Sequence, residues 1–241
     1  MQARSFQVWS GRAQGSASYW GWRSGVHIAG LFVLALLCAW AGSGSDPAEA
    51  TDHPVRIVAL GDSLTAGLGL PANESFPAKL QAALRAKGIA AEVANAGVSG
   101  DTASRGVARL DWSVPEGTDA VIVELGANDM LLGIDPKITR KALTEIVHRL
   151  RARHIPVLLA GMRAAPNLGT QYGREFESIY SELSDQDGVL IYPFFLDGVA
   201  AQSRFNQRDG VHPTAEGVDQ IVAGILPKVE ELITRARQKP Q

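Results

Sequence analysis

Short apolar runs alternate with amphipathic segments along most of this chain, from about residue 55 onward. Five of the runs are β-branched or continuously apolar, which is typical of parallel strands that are covered on both faces. They predict β-strands at Val55–Leu60, Ala91–Asn95, Ala120–Leu125, Val157–Gly161 and Val189–Tyr192.

Between these runs the apolar residues recur every three or four positions, which predicts helices that bury one face. Leu80 and Leu84 have this spacing, and Gly88 follows them as a glycine suited to end a helix. Two longer segments would bury Ile138, Ala142, Ile146 and Leu150, and Ile221, Ile225, Val229 and Ile233. The predicted helices are Phe76–Lys87, Thr102–Leu110, Ile138–Arg153, Arg174–Leu183 and Thr214–Arg235.

This alternation predicts one α/β domain over residues 51–241, in which a parallel sheet lies between helices on both faces. In open parallel sheets, ligands bind beyond the carboxyl ends of the strands. We therefore expect functional residues in the segments that directly follow the predicted strands.

Residues 1–50 differ from the rest, because arginines precede an apolar run at residues 28–41. The run is shorter than the about 20 residues of a membrane-spanning helix and fits a secretory signal peptide. Cleavage sites of small residues end at Ala41 and at Ala50. We expect an exported protein, periplasmic or secreted; an uncleaved N-terminal membrane anchor is the alternative, and this segment would then be the only membrane contact.

Composition narrows the class of partner. The formal net charge is −2, from 23 Lys and Arg against 25 Asp and Glu, so no basic excess indicates a nucleic-acid partner. The single cysteine, Cys38, lies in the apolar run after Leu37, which is too large for a lipoprotein signal. No disulfide is expected in the processed chain.

One histidine has the neighbours that a catalytic base requires. His212 lies in the loop "RDGVHP" before the last helix, and Asp209 precedes it by three residues. A carboxylate can hold one ring nitrogen while the other takes a proton from a nucleophile. The alternative is that Asp209 only caps a turn. Structural or solvated roles are expected for the remaining histidines, His27, His53, His148 and His154.

Ser63 follows the first predicted strand in "GDSLT" and has two possible roles. Serine is a preferred N-cap of helices, and it is also the nucleophile of many hydrolases. Gly97, after the second strand, offers a backbone N–H, and Asn128, after the third strand, offers a side-chain amide. These groups could bind a developing oxyanion, although each could also simply form a turn.

The blocks "GDSLT", "NAGVSGDT", "GANDM" and "DGVHP" occur in this order between residues 61 and 213. With them the chain resembles the SGNH hydrolases, also called GDSL esterases. The segments "LTAGLGLPANESFPAKLQAALRAKG" and "NLGTQYGREFESIY" are similar to its bacterial branch of acyl-CoA thioesterase I, lysophospholipase and arylesterase.

The resemblance implies a flavodoxin-like three-layer α/β/α sandwich with a five-stranded parallel sheet, and an exported esterase without metal or cofactor. It also implies that Ser63 attacks an ester or thioester carbonyl, with His212 as base and Asp209 as its partner. The N–H groups of Ser63 and Gly97 and the amide of Asn128 would hold the oxyanion, and water would then hydrolyse the acyl-enzyme. Asp62 and Asp129, beside these residues, are expected to cap turns.

The predicted substrate is a small ester or thioester: aryl esters, short to medium acyl esters, acyl-CoA or lysophospholipids. Apolar residues after the first and fourth strands could line its groove, or could pack on the core: Leu68, Met162, Ala165 and Pro166. A carbohydrate O-acetyl esterase would use the same catalytic residues. A non-catalytic flavodoxin-like binding module is the alternative from another class.

Overall fold

Five parallel strands form one sheet in the computed structural model, which describes residues 53–187 and 189–238. The strands are β1 (Val55–Gly61), β2 (Ala91–Gly97), β3 (Ala120–Glu124), β4 (Val157–Ala160) and β5 (Leu190–Tyr192), in the order β2-β1-β3-β4-β5. Every neighbouring pair is parallel. This order is the flavodoxin-like one, so the predicted fold class is confirmed. The signal-peptide prediction for residues 1–50 lies outside the described residues.

Helices cover both faces of the sheet. They are α1 (Ser63–Ala66), α2 (Phe76–Ala86), α3 (Ala103–Ser113), α4 (Ala127–Leu131), α5 (Pro136–Ala152), α6 (Thr170–Asp187) and α7 (Ala215–Arg237). Helices α2 and α7 pack together on one face, and α3, α5 and α6 pack in sequence on the other. The five predicted helices are confirmed within a few residues at most ends. Helices α1 and α4 were not predicted, because four or five residues show no helical period.

The predicted burial is correct for most apolar positions and wrong for two features. Ile221, Ile225, Val229 and Ile233 of α7 are all buried. Ile138 is 52% exposed although Pro136 and Thr139 beside it in the first turn of α5 are buried, because Ile138 lies on the outer side of that turn. Strand β2 is not covered on both faces, because it is an edge strand and none of its residues is fully buried.

None of the helices in residues 53–187 and 189–238 is long and apolar enough to cross a membrane. The long helix α7 is instead amphipathic, and its apolar face contributes to the central hydrophobic core.

A carboxyl group at the end of β3 supports the segment after β1 from inside the core. Glu124 is fully buried, and its Oε2 accepts a hydrogen bond from the Thr65 hydroxyl at 2.7 Å. The backbone N–H of Asp62 points to the same oxygen at 3.4 Å. The other oxygen, Oε1, has no partner among the described residues. Burial, reinforced by the nearby charge of Asp62, raises the pKa of Glu124 well above its usual range.

The backbone at the end of β2 packs closely against the backbone at the start of α1. A Cβ atom on Gly97 would lie 2.2 Å from the N atom of Ala66 and 2.8 Å from the carbonyl oxygen of Asp62. Both neighbours are backbone atoms of the turn that carries Ser63. Glycine at position 97 therefore allows β2 to pack directly against this turn.

We expect Gly97→Ala to destabilise the protein by about 1–3 kcal/mol, because the added methyl group forces backbone apart. The matched control is Gly173→Ala in α6, where an added Cβ would have no heavy atom within 4 Å. That change should be neutral or stabilising by up to about 1 kcal/mol, since alanine favours helix. Urea unfolding of both variants measures the difference; equal midpoints would show that the close approach at Gly97 has no energetic importance.

Glu124→Gln should change how stability depends on pH. The folded protein retains the Glu124 proton above pH 4.5, whereas the unfolded chain releases it, so raising the pH favours unfolding of the wild type. Glutamine does not titrate, so the stability of the variant relative to wild type should rise from pH 5 to pH 8. Urea unfolding at both pH values measures this.

The companion variant Glu124→Ala removes the acceptor for Thr65 and should be about 1–3 kcal/mol less stable than Glu124→Gln at both pH values. If wild type and Glu124→Gln have parallel stability profiles, Glu124 does not hold a proton that the unfolded chain releases.

Candidate active site

Ser63 is the first residue of α1, directly after β1. Its N-cap is Asp62, whose Oδ1 accepts the N–H of Leu64 at 3.0 Å. The alternative in which Ser63 itself caps the helix is therefore wrong, and the prediction that Asp62 caps a turn is confirmed. The serine hydroxyl is therefore not used as a helix cap. Ser63 is 8% exposed.

His212 is carried by a narrow loop between β5 and α7. The N–H of Thr214 donates to the carbonyl of Phe205 at 2.8 Å, and the N–H of Gln207 donates to the carbonyl of His212 at 2.7 Å. Asn206 and Pro213 form an antiparallel bridge between these two bonds. The loop is thus fixed as a short hairpin with His212 near its tip.

The structure brings the predicted serine, histidine and aspartate together. His212 Nε2 lies 2.8 Å from Ser63 Oγ, across 149 residues of sequence. His212 Nδ1 lies 2.7 Å from Asp209 Oδ2. The side chain of His212 is 18% exposed, so the imidazole is largely shielded while it contacts both partners.

Asp209 is held in its charged form. Its Oδ1 accepts the N–H groups of Val211 at 2.9 Å and His212 at 3.0 Å. These bonds, together with the His212 side chain, lower the pKa of Asp209 to about 2. An ionised carboxylate can only accept, so the proton of a neutral His212 ring lies on Nδ1. Nε2 then accepts from the Ser63 hydroxyl.

The expectation that Gly97 donates its N–H to the site is wrong. This N–H donates to Asn95 Oδ1 at 2.9 Å, and Gly97 is not on the wall of the cavity beside Ser63. Gly100, three residues later, is on that wall. Its φ of +83° is in the left-handed region, which glycine adopts readily. Within the described residues, no acceptor contacts the N–H groups of Gly100 and Ser63.

Asn128, the second residue of α4, lines the same cavity. Its Nδ2 donates to Asp62 Oδ2 and to the carbonyl of Asp101, at 3.0 Å each. Asn128 therefore connects the segments that follow β1, β2 and β3. Asn128 and Ser63 lie on the wall of the same cavity.

Two buried aspartates position these segments. Burial raises the pKa of Asp62 to about 6, although the N–H of Leu64, the nearby His212 and the amide of Asn128 each lower it. Asp129 accepts the N–H of Ala103 at 2.8 Å and the hydroxyl of Thr139 at 3.0 Å. It therefore connects α4 to two other helices rather than capping its own turn.

Arg109 was missed by sequence reasoning. From α3 its guanidinium pairs with Asp101 at 2.6 Å and donates to the carbonyls of Gly61 and Ala96, at 2.8 and 2.9 Å. It thereby joins the carboxyl ends of β1 and β2. Its place in the sequence, inside an ordinary amphipathic helix, gives no sign of these contacts.

Gln207 was missed as well, and it connects the histidine loop to the serine segment. Its Nε2 donates to the carbonyl of Leu68 at 2.8 Å and to that of Pro213 at 2.9 Å. In the sequence, only its position five residues before His212 indicates that Gln207 lies near the site.

The cavity beside Ser63 has a volume of about 440 Å³. The structure places all four predicted groove residues on its wall: Leu68, Met162, Ala165 and Pro166. Further apolar lining comes from Leu64, Ala127, Met130, Leu131, Phe194 and Leu196. An apolar acyl or aryl group would fit this wall.

The other histidines of the described region do not join the site. His53, before β1, and His148, on α5, are exposed, and His154 follows α5 with a positive φ of 56°. Within residues 53–187 and 189–238, no group of three or more His, Cys, Asp or Glu side chains is arranged to hold a metal ion.

Comparison with known proteins agrees with this arrangement. Residues 59–220 match the model of the GDSL-like lipase/acylhydrolase family. An arylesterase from Vibrio mimicus is 36% identical over 162 residues, which are 67% of this chain and 81% of that protein. Thioesterase 1/protease 1/lysophospholipase L1 from Escherichia coli is 33% identical over 178 residues, 73% of this chain and 84% of that protein.

A solved structure also matches. The crystal structure of AlinE4, a SGNH-hydrolase family esterase, is 46% identical and has a TM-score of 0.64, covering 74% of this chain and 96% of that one. The resemblance seen in the sequence is thereby confirmed. The family match covers the segments that carry Ser63, Gly100, Asn128 and His212. The chain belongs to the GDSL-like lipase/acylhydrolase family.

Proposed function

We propose that this protein hydrolyses carboxylic esters and thioesters through an acyl-enzyme formed on Ser63. The observation that carries the proposal is the contact of 2.8 Å between Ser63 Oγ and His212 Nε2. On the other side of the ring, His212 Nδ1 lies 2.7 Å from Asp209 Oδ2. A serine, a base and an orienting carboxylate in hydrogen-bond series are the geometry that acyl transfer requires.

In the first half of the reaction, Ser63 Oγ attacks the carbonyl carbon and His212 Nε2 takes the hydroxyl proton. The imidazolium that forms is stabilised by the charged carboxylate of Asp209. His212 then gives the proton to the departing alcohol or thiol, which leaves the acyl group on Ser63. Because Asp209 lies three residues before His212 on a fixed hairpin, the ring keeps its orientation through these steps.

The oxyanion would be held by the N–H groups of Ser63 and Gly100 and by the amide of Asn128. Gly100 replaces Gly97 in this role, because the Gly97 N–H is already bonded to Asn95. Both hydrogens of Asn128 Nδ2 have acceptors in the free protein, so the substrate oxygen would share or displace one of them. Losing one oxyanion donor typically lowers kcat by about 10²–10³.

In the second half, a water molecule takes the place of the leaving group. His212 removes its proton, the water oxygen attacks the acyl carbon, and Ser63 recovers its proton as the acid departs. Ser63 and His212 thus act in both half-reactions, formation and hydrolysis of the acyl-enzyme.

The substrate class follows from the cavity wall and the family. The apolar lining suits short to medium acyl chains and aryl groups. The relatives named arylesterase and thioesterase/lysophospholipase support aryl esters, acyl-CoA and lysophospholipids as the classes to test. A carbohydrate O-acetyl esterase is less well supported, because Trp112 is 82% exposed on α3 and is not on the wall.

We also propose that residues 1–50 direct export, either as a cleaved signal peptide or as an N-terminal anchor. The apolar run at residues 28–41, with arginines before it, supports this. N-terminal sequencing should find a chain that begins at residue 42 or 51 in the periplasmic or culture fraction if the segment is cleaved, or an unprocessed chain in the membrane fraction if it is an anchor. An unprocessed chain confined to the cytoplasm would contradict export.

Ser63→Ala and His212→Ala should each lower kcat by at least about 10³ on aryl esters, acyl-CoA and lysophospholipids, because each removes one partner of the proton transfer. A fluorophosphonate probe should label the wild type and not Ser63→Ala. Both variants should unfold at denaturant concentrations close to wild type.

The matched control is Ser104→Ala, which removes an exposed serine hydroxyl on α3 and should keep both activity and labelling. Wild-type turnover by Ser63→Ala would refute the proposed nucleophile.

A further inference from the structure

The wall of the catalytic cavity carries one arginine, Arg163. Arg163 lies just after β4, is exposed, and lines the cavity together with Ser63. Among the described residues, it is the only ionisable side chain on that wall apart from His212. A charge in an apolar, partly enclosed site interacts with a ligand more strongly than one on an open surface.

The guanidinium is held by an aromatic ring rather than by an acid. Its central carbon lies 4.8 Å from the ring centroid of Phe194, which also lines the cavity. A guanidinium stacked on a ring keeps its N–H donors available at the edges. These donors suit the two oxygens of a carboxylate or a phosphate.

No ion pair neutralises the charge of Arg163 within residues 53–187 and 189–238. Several other arginines form ion pairs with carboxylates, including Arg56 with Asp119 and Arg109 with Asp101. In the parts of the chain that the structure describes, no carboxylate lies within ion-pair distance of Arg163. Its positive charge is therefore available to a ligand in the cavity.

We propose that Arg163 is a specificity-determining residue that selects ester substrates carrying a negatively charged carboxylate or phosphate group. The inference rests on the proposed hydrolytic function of the same cavity and adds the substrate class. The apolar wall binds the acyl or aryl part, and Arg163 binds the anionic group. The anion can belong to the acid part or to the leaving group of the ester.

The experiment measures kcat/KM for two matched pairs of chromogenic esters. In the acid arm, mono-4-nitrophenyl glutarate is compared with its neutral methyl ester. In the leaving-group arm, the butyrate ester of 4-hydroxy-3-nitrobenzoate is compared with that of its neutral methyl ester. Within each pair only the charge and one methyl group change, so the ratio of anionic to neutral kcat/KM reports recognition of the charge.

In at least one arm, Arg163→Gln should lower this ratio by about three- to ten-fold, because a partly exposed ion pair contributes little more than this. Arg163→Lys should retain part of the preference, and Arg163→Glu should reduce the ratio further through repulsion. The wild-type preference should weaken as ionic strength rises, since salt screens an exposed charge.

Arg204→Gln is the matched control. Its guanidinium lies 4.2 Å from the ring of Phe205, but Arg204 is not on the cavity wall. This variant should leave both ratios unchanged. Equal ratios for wild type and Arg163→Gln in both arms would refute the role of Arg163. Hydrolysis of the neutral esters, with Ser63→Ala as the blank, tests the proposed function separately from this result.

Discussion

The buried carboxylate of Asp62 is the interaction on which the site depends. It caps α1 through the N–H of Leu64 and accepts the amide of Asn128. Asn128 also donates to the carbonyl of Asp101, and the side chain of Asp101 pairs with Arg109. Arg109 returns to the carbonyl of Gly61, one residue before Asp62. This closed set of polar contacts fixes the carboxyl ends of β1, β2 and β3 relative to each other.

Burying carboxyl groups at this edge of the sheet disfavours their charged forms, and their pKa values change accordingly. Desolvation raises the pKa of Asp62 to about 6 and that of Glu124 well above its usual range. Asp209 shows the opposite effect, because two backbone N–H groups and His212 lower its pKa to about 2. The buried acids Asp62 and Glu124 therefore hold the backbone around Ser63 in place. The exposed acid Asp209 remains charged, which suits it to stabilise an imidazolium.

The hydrolytic site is completed by a second set of contacts, which comes from the C-terminal part of the chain. The hairpin before α7 brings His212 to Ser63, and Gln207 attaches that hairpin to the carbonyl of Leu68. The cavity beside them has a mostly apolar wall that also carries Arg163, whose guanidinium lies over the ring of Phe194. Ser63 and Arg163 thus follow different strands of one sheet, and ligand sites at the carboxyl ends of strands are common in open parallel sheets.

The sequence by itself determined most of the elements and singled out Ser63, Asp209 and His212 as candidates, because periodicity and short blocks are local properties of the chain. It could not determine which glycine faces the cavity. Gly97 and Gly100 both follow β2, and only the backbone path shows that the Gly97 N–H is occupied. The contacts of Glu124 and Arg109 and the surroundings of Arg163 were likewise decided by tertiary structure, because burial, long-range hydrogen bonds and ion pairs depend on residues distant in sequence.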